Sequence, residues 1–336
     1  AYTFSDSFWF SAVEAEVYAM SSFFTAFVFW AMLRWEYIED EQKATRWLLL
    51  IVYMMGLSIG VHLLNLVTIP ALSLIYLFKK YPNPSTRQIL YALGVSGIII
   101  LVIMYGIIPG LPSLAGDFEV FCVNSLGLPF NVGVILFTLT VIGLLVYGIY
   151  ITHQRKLFLW NTSLLGIAFI LIGYTSYAII IIRANYNPPI NENDPSDAVR
   201  YVSYLKREQY GDRPLLYGPT FVAERIDVEL GSPIYRRGKD KYEIYDYKNK
   251  PIYHPKDQIL LPRIYSQQPG HPELYREWIG LREDERPNLY HNFKYMFKYQ
   301  FGHMYFRYFL WNFAGRESDE KDATWLMPWD DLEEIP

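Results

Sequence analysis

Five long apolar stretches in the first half of the chain constrain its fold more than any other feature. They lie at 17–33, 47–78, 89–108, 132–150 and 164–182. An α-helix needs roughly 20 apolar residues to cross the hydrocarbon core of a bilayer. These stretches therefore predict an α-helical integral membrane domain.

The second stretch is too long for a single crossing, because its 32 residues exceed what a ~30 Å core requires. Basic residues flank it on both sides, in 34–46 and 79–87. Loops rich in Lys and Arg stay on the cytoplasmic side, so an even number of crossings must lie between these flanks. We predict two short helices that turn near Gly60–Asn65. One long tilted helix is the alternative, and it would leave three basic residues outside.

The other connecting segments agree with six crossings. The segment 109–131 carries only acidic charge and is predicted outside, whereas 151–157 is basic and is predicted inside. The chain after Ile182 is then extracytoplasmic. The six predicted spans are 17–33, 47–61, 63–78, 89–108, 132–150 and 164–182.

Charge divides the chain into two parts. Residues 1–182 hold only 8 of the 30 Lys and Arg and 9 of the 34 Asp and Glu, so 183–336 is predicted to be a small polar α+β domain. Within it we expect a helix at 196–208, Tyr-rich strands in 215–265 and an aromatic helix at 290–311, which fits either the membrane surface or a domain interior. The net charge of −4 excludes a basic nucleic-acid binder, and the single cysteine excludes a disulfide framework.

Candidate functional residues are polar groups in costly places, because an ionisable group in a membrane segment costs about 2.5–3.5 kcal/mol on insertion scales. Glu14 and Glu16 begin the first apolar stretch, about 200° apart on a helix, so they cannot face one site. Glu16 is the candidate general base, and Glu14 is a candidate substrate-binding residue. An interfacial glutamate among lipid headgroups is the alternative for both.

Three further polar residues stand at predicted span ends. His62 and Asn65 lie at the proposed turn and are candidates for binding a substrate in a cavity that opens outward. The alternative is a helix-end histidine that hydrogen-bonds a free backbone carbonyl. Arg183 ends the last span, where its guanidinium suits a phosphate. Snorkelling to headgroups is the alternative for Arg183.

The segment after Arg183 is rich in side chains that can bind sugar hydroxyls, and Pro188 and Pro189 exclude a continuous helix there. A turn-rich linker is the alternative. Arg207 and Arg213 are candidates for binding a phosphate or carboxylate, with surface ion pairs to Glu208 and Asp212 as the alternative. The candidate sugar-binding residues are Asn187, Asn191, Glu192 and Asn193.

Several strings in this chain resemble a large family of bacterial polytopic membrane proteins. The family long carried only a domain-of-unknown-function label, is similar to the eukaryotic transmembrane O-mannosyltransferases that modify plexin-type receptor domains, and is grouped with the GT-C glycosyltransferases. The resemblance is expected to run over nearly the whole chain, through Trp311–Arg316. The strings are Phe8–Ala19, Gly56–Asn65, Asn124–Asn131, Asn187–Asn193 and Arg207–Leu215.

The resemblance implies a GT-C-like bundle in the bacterial inner membrane, with residues after 183 in the periplasm. It implies an inverting transfer of a sugar from a polyprenyl-phosphate donor to a hydroxyl of a secreted or periplasmic protein. Such enzymes place an acidic residue in their first extracytoplasmic loop, within a Trp-Asp-x-Gly-Glu-like string that this sequence lacks. We therefore expect an internal fragment whose main catalytic base lies upstream. No metal ligands are predicted and the need for a divalent ion stays open, and a transporter or scaffold subunit is the alternative function.

Overall fold

The computed structural model describes residues 6–14, 16–211, 213–311, 313–318, 320 and 323–327. The chain forms two compact units. The helical unit comprises Ser11–Tyr210 together with Tyr235–Tyr245. The mixed unit comprises Gly211–Ile234 and the described residues that precede Ser11 or follow Tyr245.

The helical unit is built from α-helices joined by short turns. Helix α1 (Asp6–Val13) has residues in both units. The other helices of the helical unit are α2 (Tyr18–Glu36), α3 (Glu41–Ile59), α4 (Ile69–Lys80), α5 (Thr86–Leu101), α6 (Gly110–Leu126), α7 (Val132–Gln154), α8 (Phe158–Tyr174), α9 (Ile179–Ala184) and α10 (Ala198–Leu205). Side-chain caps begin several of these helices: Asp40 accepts from the Lys43 amide before α3, and Ser85 and Gln88 form a capping box at α5.

Among the described residues, four helical stretches are long and apolar enough to cross a membrane. They are Leu63–Lys80, Thr86–Leu126, Val132–Gln154 and Phe158–Ala184. They contain the last four of the predicted spans. The six-span arrangement, in which α2 and α3 also cross, stays a prediction.

The predicted turn within 47–78 corresponds to a break between helices. α3 ends at Ile59, and a 3₁₀ helix, Leu63–Thr68, then leads into α4. His62 stabilises the restart, because its Nδ1 accepts a hydrogen bond from the Leu64 amide at 3.1 Å.

The structure differs from the sequence analysis in 109–131, which we expected to be a loop. A π-helical segment, Val102–Ile107, joins α5 nearly directly to α6, so Thr86–Leu126 is helical over 41 residues. At about 1.5 Å per residue, this stretch is longer than one ~30 Å crossing. The absence of basic residues indicated sidedness there, but it does not disfavour a helix, and α6 buries Glu119, Cys122 and Val123.

Close packing of α3 on α8 depends on two glycines. A Cβ atom on Gly56 would lie 2.4 Å from the Ile170 carbonyl oxygen, and one on Gly173 would lie 2.6 Å from the Tyr53 carbonyl oxygen. Small residues let two helices approach closely enough for their backbones to touch. The core around this contact includes Val28, Ala31, Ile51, Met55, Leu72 and Ile170.

The mixed unit contains short strands and helices. Strands β1 (Tyr217–Pro219) and β4 (Gln258–Leu260) pair antiparallel with Gly218 opposite Ile259, and β2 (Arg225–Arg237) pairs with β3 (Tyr242–Tyr253). Helix α11 (His271–Ile279) packs near α12 (Leu289–Tyr295), which continues through a π-helical segment, Met296–Tyr305, into α13 (Phe306–Trp311). The core consists of Phe221, Ile264, Tyr275, Ile279, Leu281 and Tyr295.

The aromatic helix at 290–311 turns its lysines towards α11. Lys294 donates to the Ile279 carbonyl, and the Lys298 ammonium lies 5.6 Å from the centre of the Trp278 ring. These lysines therefore contact the mixed unit itself, whereas exposed aromatic side chains such as Phe297 and Tyr305 occupy the other face.

We predict that Gly173→Ala destabilises the helical unit, whereas Gly166→Ala in the same helix does not. Overpacking costs typically about 1–3 kcal/mol, but nothing lies within 4 Å of a Cβ on Gly166. Thermal unfolding of the two variants in detergent measures the difference. Equal melting temperatures would show that the two helices separate freely at this contact.

Candidate functional site

The predicted site residues near the start of the chain differ in how far they are buried. Glu14 and Glu16 are exposed between α1 and α2. The His62 ring lies 5.8 Å from the Tyr18 ring, which brings the turn after α3 to the start of α2. Asn65 is fully buried, and its Nδ2 donates to the Ser58 Oγ at 3.1 Å. His62 and Asn65 thus both stabilise local structure.

Among the described residues, the Asn65 Oδ1 atom has no hydrogen-bond partner, although it is buried. A buried acceptor without a donor is costly, so this atom marks a place where a water or a ligand group is favoured.

The loop between α9 and α10 is held together by its own side chains. The Asn185 amide donates to the carbonyls of Ile181 and Ser196, at 2.8 and 3.2 Å. The Asn191 amide donates to the Ala184 carbonyl and to the Asp194 carboxylate, at 3.3 and 3.0 Å. The donors of Asn191 are therefore used within the loop.

Other predicted residues of this loop keep their side chains at the surface. Asn187, Glu192 and Asn193 are exposed, as is Arg183 at the end of α9. Asn187 and Asn193 have φ angles of 47° and 60°, a left-handed conformation that asparagine tolerates well. These side chains remain free to meet a polar ligand.

The two remaining arginines lie in different units. The Arg207 guanidinium lies 4.9 Å from the centre of the Tyr210 ring in the helical unit. Arg213 is exposed in the mixed unit. Its alternative partner, Asp212, lies outside the described residues.

An ion-pair cluster that the sequence analysis missed forms the base of α10. The buried Asp197 carboxylate caps the helix by accepting from the amides of Val199 and Arg200, both at 3.0 Å. The Arg200 side chain pairs with both Asp197 and Asp194. The available signal was three charged residues at intervals of three, shortly after the last predicted span.

A groove opens beside this cluster, between α6, α7, α8, α9 and α10. We call it the α6–α10 groove; its cavity volume is about 420 Å³. Most of its wall is apolar, including Phe137, Val141 and Ile142. Helix α10 packs against α6 where Gly116 leaves room for the Val202 side chain. Its polar lining residues are Asn131, Thr138, Thr175, Ser196, Asp197 and the two tyrosines 174 and 201.

A buried carboxylate fixes the α6–α7 turn next to this groove. Glu119 is fully buried and accepts from the amides of Asn131, at 2.5 Å, and Val134, at 3.1 Å. It thereby satisfies free amides at the start of α7 and stabilises the helix dipole. A Cβ on Gly133 would lie 2.8 Å from this carboxylate, so only glycine leaves space there.

The tip of the β2–β3 hairpin, Tyr235–Tyr245, belongs to the helical unit and docks at the same turn. The Tyr242 hydroxyl donates to Glu119 at 3.4 Å, and the Tyr242 backbone exchanges two 2.9 Å hydrogen bonds with the Asn124 side chain. Burial, and next the Glu119 charge, raise the pKa of Tyr242, which keeps the phenol protonated as a donor. The Arg237 guanidinium lies 4.2 Å from the Phe130 ring centre.

The sequence analysis placed Glu119 in a loop and gave it no role. The signal was present, since a carboxylate inside an otherwise apolar stretch is costly and needs partners. Among the described residues, no group of three or more His, Cys, Asp or Glu is placed to hold a metal ion.

We predict that Glu119→Gln destabilises the helical unit, because one carboxylate oxygen becomes an NH₂ that faces a backbone amide. Leaving a buried donor unsatisfied costs about 1–3 kcal/mol. Asp117→Asn, on an exposed residue of the same helix, is the matched control. Thermal unfolding and limited proteolysis near 235–245 report the change, and equal behaviour of both variants would contradict the role of Glu119.

Comparisons with known proteins give two partial matches. Residues 1–85 match the family model for the protein O-mannosyl-transferase TMEM260 N-terminal domain. Residues 211–297 match a family of unknown function, DUF8416. No curated protein and no solved structure matches the chain.

The first match supports an O-mannosyltransferase-like relationship. It is narrower than the resemblance expected from the sequence strings, because it covers Phe8–Ala19 and Gly56–Asn65 only. Glu14, Glu16, His62 and Asn65 lie inside it, whereas the α6–α10 groove lies outside both matches.

Proposed function

We propose that this chain forms part of an inverting membrane glycosyltransferase of GT-C type, which transfers a sugar from a polyprenyl-phosphate donor to a hydroxyl of an extracytoplasmic protein. The match of residues 1–85 to an O-mannosyl-transferase domain supports the reaction class. The α6–α10 groove carries the structural part of the proposal, because it joins an apolar wall of membrane helices to a polar end.

In this proposal the isoprenoid chain lies along Phe137, Val141 and Ile142. The apolar wall favours such a chain, since burial of apolar surface is worth about 25 cal/mol per Å². The sugar phosphate then meets Asn131, Ser196 and the adjoining loop, whose exposed Asn187, Glu192 and Asn193 offer donors and acceptors for hydroxyls.

Arg183 remains the proposed phosphate ligand from the surface, because its guanidinium is exposed and always charged. It does not line the groove, whereas Ile181, two residues earlier, does. Arg183 would therefore act on a headgroup that projects beyond the groove. Glu16 stays a candidate base, next to the main base expected upstream of this chain.

The proposed topology has six crossings in the bacterial inner membrane, with the loop after α9 on the periplasmic side. It adds α2 and α3 to the four stretches that satisfy length and composition. The distribution of basic residues supports it, because all eight Lys and Arg before Arg183 then share one side.

Obstruction of the groove tests the proposed function. Thr138 lines the groove, whereas the adjacent Leu139 is exposed and does not. In the full-length protein, we predict that Thr138→Trp lowers mannose transfer from polyprenyl-phosphate mannose to an acceptor peptide at least about tenfold, or about 1.4 kcal/mol. Leu139→Trp should transfer normally. Equal activity of both variants would show that the groove takes no part in sugar transfer.

Cysteine labelling tests the topology. Cys122 is buried and must first be replaced, for instance by Cys122→Ser. We predict that an impermeant maleimide labels Ser125→Cys in intact spheroplasts, because this exposed residue ends α6 on the outer side. Asn83→Cys should react only after permeabilisation. Labelling of both residues from the same side would overturn the six-span arrangement.

A further inference from the structure

A second apolar groove lies between α2, α3, α4, α5 and α8, and we call it the α2–α5 groove. Its cavity volume is about 800 Å³, and its floor is formed by the buried side chains of Ile51, Met55, Leu72 and Ile103. It shares no lining residue with the α6–α10 groove. Its occupant can therefore differ from the donor proposed above.

Basic residues mark one end of the α2–α5 groove. Lys80 ends α4 and Arg87 lies in the first turn of α5, and both line the groove. None of its described lining residues is acidic. Among the described residues, neither cation forms an ion pair, and Lys80 has only the Tyr81 ring at 6.0 Å. Arg87 is also unfavourably placed, because a helix N-terminus repels a cation.

Lys79, by contrast, has a structural role at this end of α4. The Lys79 ammonium donates to the carbonyls of Trp35 and Ile38, both at 2.7 Å, and lies 4.2 Å from the Trp35 ring centre. Lys79 thus ties α4 to the end of α2. Within the part of the chain that the structure describes, Lys80 and Arg87 make no comparable contacts, which leaves their charge available to a ligand.

We propose that the α2–α5 groove binds an anionic phospholipid. An acyl chain lies on the apolar floor, and the headgroup phosphate lies between Lys80 and Arg87. Charge complementarity favours this occupant, because two exposed cations without an ionic partner among the described residues stand at the edge of an apolar cavity. Basic pockets between membrane helices on the cytoplasmic side bind such headgroups. The proposed topology places Lys80 and Arg87 on that side.

Lipid binding to the purified full-length protein tests the proposal. Dioleoyl phosphatidylglycerol, followed by native mass spectrometry in a neutral detergent, should bind the wild type more tightly than dioleoyl phosphatidylcholine. The double variant Lys80→Gln/Arg87→Gln should lose affinity for phosphatidylglycerol about 30-fold, as expected for two basic side chains at an anionic headgroup. Lys43→Gln/Arg46→Gln removes the same charge from residues that do not line the groove, and it should bind normally.

The acyl chain is tested separately. Ala92 lines the groove and the adjacent Leu93 does not, so Ala92→Trp should weaken phosphatidylglycerol binding while Leu93→Trp preserves it. Equal binding of the two phospholipids, or equal losses in both double variants, would overturn the proposal. So would stronger binding of polyprenyl phosphate, or saturation of the site by inorganic phosphate. None of these measurements depends on sugar transfer, so a failure here leaves the proposed reaction untouched.

Discussion

The buried carboxylate of Glu119 is the interaction on which the arrangement of the α6–α7 region depends. A charge removed from water costs several kcal/mol, and it is retained only where hydrogen bonds replace the lost hydration. Here two backbone amides at the start of α7 and the Tyr242 hydroxyl supply those bonds. Because Asn131 both donates to Glu119 and lines the α6–α10 groove, the same carboxylate fixes the polar end of that groove.

Glycines make the other close contacts of the helical unit. Gly56 and Gly173 let α3 and α8 touch backbone to backbone, and Gly133 leaves room for Glu119 itself. Among lipid chains, helices gain little from apolar contact as such, so van der Waals packing at small residues decides where they meet.

Periodicity and charge were enough to predict much of the fold. The last four predicted spans lie within the four membrane-competent stretches, and the Tyr-rich segment contains β2 and β3. Helix α6 was missed because basic residues report sidedness rather than backbone conformation. The docking of the hairpin tip was also beyond sequence reasoning, because it depends on the Asn124 side chain matching the Tyr242 backbone across 118 residues of chain.

Site residues were harder to predict. A polar group in an apolar segment is energetically costly, but the sequence does not say whether local hydrogen bonds or a ligand compensate for that cost. His62 at a predicted span end and Asn191 in the loop after Arg183 were candidates, yet both make local hydrogen bonds. Asp197 and Glu119 are buried carboxylates, and they line or support the α6–α10 groove. Only the three-dimensional structure distinguishes polar residues that stabilise a local turn from those at the groove.

The two grooves combine similar apolar walls with opposite polar ends. The end of the α6–α10 groove holds amide, hydroxyl and carboxylate groups, whereas Lys80 and Arg87 line the α2–α5 groove. Apolar burial is non-directional, so both walls accept any lipid chain and neither can discriminate between lipids. Discrimination therefore falls to the polar ends. A hydrogen-bonding end that already carries a carboxylate favours a sugar, whose hydroxyls both donate and accept, over a bare phosphate. An end lined by two cations and no described acidic residue favours the phosphate.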